Sequence, residues 1–174
     1  IESYLTGYGV AESIEDVERL MDQLPEDPVI KFLNVSIRQS GSETTIVANG
    51  KPVEVNITYE VKERTAGLRV YFDLCDENED ILIRSFHDED ADGIPTVERG
   101  TYVSTAVIPA NLLAPRDYLI VMRATIYNVR PCTGNGIRIK IHAQRSTGIN
   151  RAYAMDVIRS KLQPAIDWST EKVL

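Results

Sequence analysis

Strict alternation of apolar and polar residues is the feature that most constrains this sequence. Between Val53 and Val61 every second residue is apolar and every residue between them is polar. Neighbouring side chains of a β-strand point to opposite faces, so the pattern predicts a strand with one buried and one solvated face. A helix would instead repeat its apolar residues every three or four positions.

The same strand-like pattern recurs along most of the chain. Short runs rich in β-branched and aromatic residues are separated by turn-forming Gly, Pro, Asn and Asp, which is typical of an antiparallel β-sandwich. The predicted strands are 29–38, 53–61, 68–75, 81–86, 101–108, 118–127 and 137–142. No helical stretch lies between them, which argues against a parallel α/β sheet.

The two ends of the chain differ from this middle part. After Ser13, a capping residue, apolar residues recur at helical spacing until Pro25 and Pro28 stop the pattern. We therefore expect residues 1–28 to be a linker with one short helix that lies on its own domain rather than on a partner. The sandwich domain would span 29–174, where 154–162 fits a short helix or a strand and 164–168 a final extended segment.

Charge and composition exclude several classes of protein. The 174 residues carry 19 Lys and Arg against 26 Asp and Glu, a net charge of -7. Nucleic acid and anionic membranes bind proteins through a basic surface, so neither is expected as a partner.

Apolar runs are only as long as strands, and 1–10 lacks the features of a signal peptide. Cys75 and Cys132 lack metal or redox spacing, which predicts free thiols in a reducing compartment.

Catalytic and metal-binding motifs are missing from the sequence. It contains no phosphate-binding loop, and its two histidines, His87 and His142, lie in no nucleophile motif. The acidic run 88–93 begins like a calcium loop, but Arg99 stands at the twelfth position, where a glutamate is needed. We expect a solvated acidic loop, no metal, no cofactor and no enzymatic activity.

Three stretches, in this order, resemble a known family. They are YEV at 59–61 with LRVYFDLCD at 68–76, GTY at 100–102 with IPANLLAPRDY at 108–118, and LQPAIDW at 162–168. Over residues 29–168 the chain resembles the C-terminal carbohydrate-binding domain of the Wzt-type ATP-binding subunit of O-antigen polysaccharide ABC exporters. Arg116 and Asp117 stand where that family often has a glycine turn.

The resemblance implies an immunoglobulin-like sandwich that forms a homodimer and binds the exported bacterial polysaccharide, the O-antigen, at its terminal end. It implies that residues 1–28 follow a nucleotide-binding domain outside this sequence. It also implies a membrane-embedded exporter subunit as partner of the full-length protein, at the cytoplasmic face of the bacterial inner membrane. A structural or protein-interaction sandwich without a glycan ligand, or a secreted adhesion module, are the alternatives.

Side-chain alternation predicts where a sugar would bind. In an immunoglobulin-like sandwich the third strand lies beside the last two, so their outward residues share one face. The candidate carbohydrate-binding residues are Arg69, Tyr71, Asp73, Arg123, Tyr127, Arg138 and His142, with Thr125 and Lys140 beside them. Aromatic rings stack on the C–H faces of sugars and planar charged groups bind their hydroxyls. The arginines would suit an acidic or phosphate-bearing sugar, and an ordinary solvated face or a dimer contact is the alternative.

Overall fold

The chain forms two β-sheets packed face to face, with one short helix. A computed structural model describes residues 9–146 and 148–173. The elements, in chain order, are α1 (Ile14–Asp22), β1 (Ile30–Gln39), β2 (Ser42–Glu43), β3 (Ile46–Ala48), β4 (Val53–Val61), β5 (Thr65–Ala66), β6 (Leu68–Cys75), β7 (Ile81–Phe86), β8 (Thr96–Val97), β9 (Gly100–Ile108), β10 (Asp117–Ile126), β11 (Arg130–Pro131), β12 (Ile137–Gln144) and a 3₁₀ turn (Arg151–Tyr153).

The strand order brings the candidate residues together. One sheet has the order β2-β1-β4-β9, and the six-stranded sheet has the order β3-β12-β10-β6-β7, with β11 also pairing with β10. The strands β5 and β8 form a small separate ribbon. The third predicted strand, β6, pairs with β10, and β12 pairs with β10 on its other side. The all-β antiparallel sandwich and the neighbourhood of these three strands are confirmed.

The core lies between the two sheets and follows the alternation. Inward-facing side chains of β4, β6, β10 and β12 form one apolar cluster; among them are Val55, Ile57, Val70, Phe72, Ile120, Met122, Ile139 and Ile141. Burial of alternate apolar side chains on both sheets is the main source of stability for such a sandwich.

A buried tyrosine marks the start of β10. The Tyr118 hydroxyl accepts the Ala114 N–H at 2.8 Å and donates to the Lys161 carbonyl at 2.6 Å. A tyrosine whose hydroxyl bonds back to the backbone a few residues upstream is a hallmark of immunoglobulin-like sandwiches. Here the same hydroxyl also fixes a segment near the C-terminus.

The helix α1 packs on its own domain, as the sequence predicts. The Ser13 side chain accepts the Asp16 N–H at 3.2 Å and caps the helix. Val17 and Leu20 are buried in the sandwich core. Just before the helix, Ala11 pairs in parallel with Ile139 of β12, so this segment extends the edge of the six-stranded sheet.

The C-terminal segment differs from its prediction. Residues 154–161 form neither a helix nor a strand, and a 3₁₀ turn precedes them at Arg151–Tyr153. Leu162 makes an isolated antiparallel bridge with Leu113, and residues 163–173 form no strand with the described chain. The prediction for 154–162 is wrong because only Leu162, at its end, packs against the core, whereas Met155 is 95% exposed. No helix in the described residues is long and apolar enough to span a membrane.

Candidate functional site

The cross-strand register places the predicted residues on one surface, the face of the six-stranded sheet that points away from the core. We call it the outer face. Tyr71 of β6 lies opposite Arg123 of β10. Val121 of β10 lies between Asp73 of β6 and Arg138 of β12. Alternation therefore located this surface correctly.

An apolar strip divides the outer face into two halves. Cys75, Leu119 and Val121 are buried there, and Val10 packs against them. One half carries Arg69, Tyr71, Asp73 and Arg123, with Tyr127 at its end directly after β10, and the other carries Arg138, Lys140 and His142. The structure thus brings the first five residues to one side and separates them from the other three.

The half around Arg138 is closed by its own ion pairs. Arg138 pairs with Glu79, and the His142 Nδ1 lies 2.5 Å from an Asp117 carboxylate oxygen. The Lys140 ammonium lies 3.6 Å from the Asp117 carboxylate. These groups already partner one another, so this half offers a ligand little free hydrogen-bonding capacity.

The half around Tyr71 is an aromatic and charged stack. The Tyr71 and Phe86 rings lie 4.7 Å apart. The Arg69 guanidinium carbon lies 3.6 Å from the Phe86 centroid, and that of Arg84 lies 5.2 Å from the Tyr71 centroid. Such contacts between cations and ring faces are favourable. Phe86 and Arg84 belong to β7, a strand that sequence reasoning did not include in the site.

Asp73 lies on the predicted face but is not open to solvent. It is 1% exposed because Arg84 and Arg123 cover it. Arg84 donates to both carboxylate oxygens, at 2.7 and 2.8 Å. Hydrogen bonding to Asp73 raises the pKa of Arg84. The Asp73 carboxylate therefore orients two arginines rather than presenting itself to a ligand.

A cleft opens beside this stack, at the end of the sandwich where β6 begins and β10 ends. Its volume is about 340 Å³. We call it the Tyr127 cleft; its walls are Gly67, Arg69, Asp88, Glu89, Ala91, Gly93, Ile94, Pro95 and Tyr127. The Tyr127 side chain is 48% exposed, so an aromatic ring stands partly free at the cleft.

Gly67 allows the walls of the cleft to approach closely. Its φ of +75° favours glycine, and an added Cβ would lie 3.3 Å from the Tyr127 Cβ. The Tyr127 N–H donates to the Gly67 carbonyl at 2.8 Å, and the Gly67 N–H donates to the Pro95 carbonyl at 2.9 Å. The β5–β8 ribbon, which adjoins the bond between Gly67 and Pro95, further ties the end of the acidic loop to the sandwich. Backbone bonds therefore fix the chain segment that carries the ring.

The polar groups of the cleft are held in place by neighbouring residues. Arg69 Nε donates to the two Asp88 carboxylate oxygens at 2.9 and 3.2 Å, and the Asp88 side chain is only 9% exposed. The Glu89 carboxylate accepts the Phe86 N–H at 2.8 Å and the Ser85 hydroxyl at 3.1 Å. Each carboxylate keeps lone pairs that can accept further hydrogen bonds.

Sequence reasoning placed Arg69 and Tyr127 here but missed Asp88 and Glu89. It treated the acidic run 88–93 as solvated, whereas Asp88 is largely buried against Arg69. One signal was available, since the run directly follows β7 and β7 pairs with β6. Because β7 lies beside β6, the loop that follows β7 starts close to the outward residues of β6, such as Arg69.

A larger cleft of about 470 Å³ lies between the two sheets, where β7 and β9 are edge strands. Its lining is mostly apolar core side chains, including Val55, Ile57 and Phe72. A sugar needs several polar partners as well as one apolar plate. The cleft between the sheets has Ser85, His87, Ser104 and Thr105 as polar members but no carboxylate or guanidinium group. The Tyr127 cleft places both kinds of charged group beside a half-exposed ring, and we therefore take it as the candidate site.

The fold has a solved counterpart. The crystal structure of the C-terminal domain of wzt matches with a TM-score of 0.66 and 12% sequence identity, over 86% of this chain and 87% of that chain. The chain has the fold of the Wzt C-terminal domain. The resemblance in the sequence is therefore confirmed for the fold.

Other comparisons add no argument about function. A Niemann-Pick type C2 protein from Japanese carpenter ant matches with a TM-score of 0.44 and 11% identity, over 70% of this chain and 96% of that chain. That likeness is too loose to carry an inference. No protein-family model matches the sequence, and no curated protein is similar to it.

Proposed function

We propose that this chain is a non-catalytic carbohydrate-binding domain and that the Tyr127 cleft is its sugar site. The observation that carries the proposal is the half-exposed Tyr127 ring beside Arg69, Asp88 and Glu89 in one cleft. An apolar ring face next to planar hydrogen-bonding groups matches the two surfaces of a pyranose, its C–H face and its equatorial hydroxyls.

The cleft and the neighbouring stack together form an extended surface. Tyr71 and Arg123 lie opposite each other on β6 and β10, and Arg69 links them to the cleft along β6. We propose that a terminal sugar enters the Tyr127 cleft and that the following unit lies over Tyr71. A short glycan buries little apolar area and displaces ordered water, so a modest affinity is expected.

The likeness to the Wzt C-terminal domain supports a more specific role. We propose that the ligand is the end of a bacterial O-antigen polysaccharide and that the domain acts as a homodimer. Its binding would give substrate specificity to an ABC exporter whose ATP-binding subunit carries this domain. The domain would then work at the cytoplasmic face of the inner membrane, together with a membrane-embedded exporter subunit.

A protein-interaction module is the second candidate, and one observation favours it. Large apolar side chains near the C-terminus are exposed in the described chain: Ile166 is 65% and Trp168 is 87% exposed. Exposed apolar side chains in one segment are a common sign of an interface. A module of this kind would bind a protein through the segment and would bind no glycan.

Separate alanine variants test the sugar site. We expect Tyr127→Ala to weaken glycan binding about tenfold, because the stacked ring contributes about 1.4 kcal/mol. Tyr71→Ala and Arg123→Ala should weaken it less. Glycan-array binding of the isolated domain, followed by calorimetry with the best oligosaccharide, gives the measurement.

Tyr153→Ala is the matched control, because that tyrosine is 71% exposed and lies outside the cleft. It should bind as the parent does, and all variants should melt at the parent's temperature. Unchanged binding by Tyr127→Ala with loss in Tyr71→Ala would move the site from the cleft to the part of the outer face around Tyr71 and Arg123. If the parent domain binds no glycan, the protein-interaction module becomes the better proposal.

A further inference from the structure

We infer that the Tyr127 cleft selects a sugar unit without negative charge and discriminates against sugars bearing a carboxylate or a phosphate. The inference rests on the proposed function and specifies the class of its ligand. From the sequence alone, the arginines would suit an acidic or phosphate-bearing sugar, which is the opposite preference. The difference comes from the partners that the fold gives to each arginine.

The guanidinium of Arg69 is already occupied. Its Nε donates to both carboxylate oxygens of Asp88, and its Nη2 lies 2.8 Å from one of them. One face of the group covers the Phe86 ring at 3.6 Å. An anionic sugar would have to compete with a carboxylate that is 9% exposed and fixed in place.

The other cations of the outer face are also paired. Arg84 binds Asp73 through two hydrogen bonds, and Arg123 lies 3.7 Å from the same carboxylate. Arg138, in the other half, pairs with Glu79. Asp73 is shared by two guanidinium groups and offsets one of their two charges, whereas Glu79 offsets that of Arg138. These carboxylates reduce the positive field that would attract an anionic ligand.

The uncompensated charge around the cleft is negative. Its walls contain one cation, Arg69, and two carboxylates, Asp88 and Glu89. Asp90 and Asp92 follow on the same loop, and neither they nor Glu89 forms a salt bridge within the part of the chain that the structure describes. A like charge entering this partly enclosed space is repelled, whereas uncharged hydroxyls can donate to the carboxylates.

A glycan array with matched pairs tests the inference. Each pair consists of a neutral oligosaccharide and the same oligosaccharide with a hexuronate in place of its terminal hexose. We expect the neutral member to bind and the acidic member to bind at least about tenfold more weakly in low salt. Raising the salt concentration should narrow this gap, because it screens the repulsion.

The Asp88→Asn variant should change the preference. It removes the partner of Arg69 without changing the size of the side chain, so the freed guanidinium can bind a carboxylate. We expect the ratio of neutral to acidic binding to fall several-fold. Asp156→Asn, an exposed acid near the C-terminus, is the matched control and should leave the ratio unchanged.

The outcomes separate the inference from the proposed function. If the acidic member binds as well as the neutral one or better, the inference fails and the carbohydrate-binding role stands. If neither member of any pair binds, both fail. The salt dependence uses the unmodified protein, so it tests the inference even if Asp88→Asn does not fold.

Discussion

The two ends of the sandwich use the same kinds of residues for different purposes. The Tyr127 cleft, where β6 begins, combines a tyrosine with an arginine–aspartate pair. The opposite end, which we call the tail clamp, combines Tyr118 with the Lys161–Asp76 and Arg116–Glu77 ion pairs. At the clamp, other parts of the chain already bind the polar groups. The Tyr118 hydroxyl forms hydrogen bonds with the backbone, and the Asp76 side chain is fully buried.

At the cleft the tyrosine ring and the carboxylates, unlike Arg69, can still bind a ligand. Tyr127 keeps 48% of its surface exposed, and the carboxylates of the cleft have lone pairs without partners in the chain's interior. Residue type therefore does not distinguish the structural cluster from the proposed binding site in this protein. What distinguishes them is how completely the fold occupies their hydrogen bonds and covers their rings.

The largest effect on stability is expected from Tyr118→Phe at the clamp. The substitution leaves the buried Ala114 N–H without its acceptor and removes the bond to the Lys161 carbonyl. We expect a loss of about 1–3 kcal/mol in the free energy of unfolding. That corresponds to about 2–4 °C in Tm for each kcal/mol in a domain of this size. Chemical denaturation and thermal melting give the measurement, and glycan binding should not change.

Tyr127→Phe is the comparison for this variant. Its ring remains available for stacking, and the Tyr127 hydroxyl forms no hydrogen bond within the described residues. The free energy of unfolding should therefore change by less than about 0.5 kcal/mol. Equal destabilisation by the two variants would contradict the distinction between the clamp and the cleft.

A smaller effect is expected when the clamp is opened by acid. The hydrogen bond from Lys161 holds the pKa of Asp76 below its usual value of 3.8, and the bond to Asp76 raises the pKa of Lys161 above 10.5. Since the pKa of Asp76 is lower in the folded state, its contribution is complete above pH 3.8 and is lost as the pH falls through the folded value. The contribution of Lys161 is present below pH 10.5 and is lost at higher pH.

Hydrogen exchange can follow this opening. The N–H of Gln163 donates to the Leu112 carbonyl at 2.8 Å, and the N–H of Ala165 donates to the Asn111 carbonyl at 3.0 Å. Their protection factors should fall as the pH drops below 3.8, before those of the core strands do. In Lys161→Met the two amides should already be less protected at pH 6. Protection that is independent of pH in both proteins would argue against a role for the ion pair.

The sequence predicts the sheets better than the ends. Alternation locates β4, β6 and β10 because a half-buried strand must repeat every second residue, and it places Tyr71 and Arg123 on the outer face. It cannot show that Arg84 of β7 covers Asp73, because that depends on which strand lies next to β6. The predicted solvent-facing role of Asp73 differs from the structure for this reason.

Loops and tails depend on contacts that have no local pattern. The pairing of Asp88 with Arg69 joins residues 19 positions apart, and that of Lys161 with Asp76 joins residues 85 apart. Neither pair leaves a periodic signal in the sequence. The prediction of a short helix or strand at 154–162 fails for a related reason, because apolar residues stabilise an element mainly by packing against a core.

The smallest effect is expected from calcium at the acidic loop of the cleft. The run Asp88–Gly93 begins like a calcium loop, but calcium requires about six to eight oxygen ligands that are free to turn toward it. Asp88 is paired with Arg69, and the Glu89 carboxylate accepts from Ser85 and Phe86. The described residues contain no group of three or more acidic, histidine or cysteine side chains placed to hold a metal.

We therefore expect millimolar calcium to shift the Tm by less than about 1 °C. Even a dissociation constant equal to the calcium concentration would add only about 0.4 kcal/mol to the free energy of unfolding. The measurement is thermal melting of EDTA-treated protein with and without calcium, with magnesium as the control cation. A shift of several degrees with calcium alone would mean that the loop leaves Arg69 to bind the metal. The cleft would then be a metal-dependent site, and its contrast with the self-contained clamp would have to be explained by the ion.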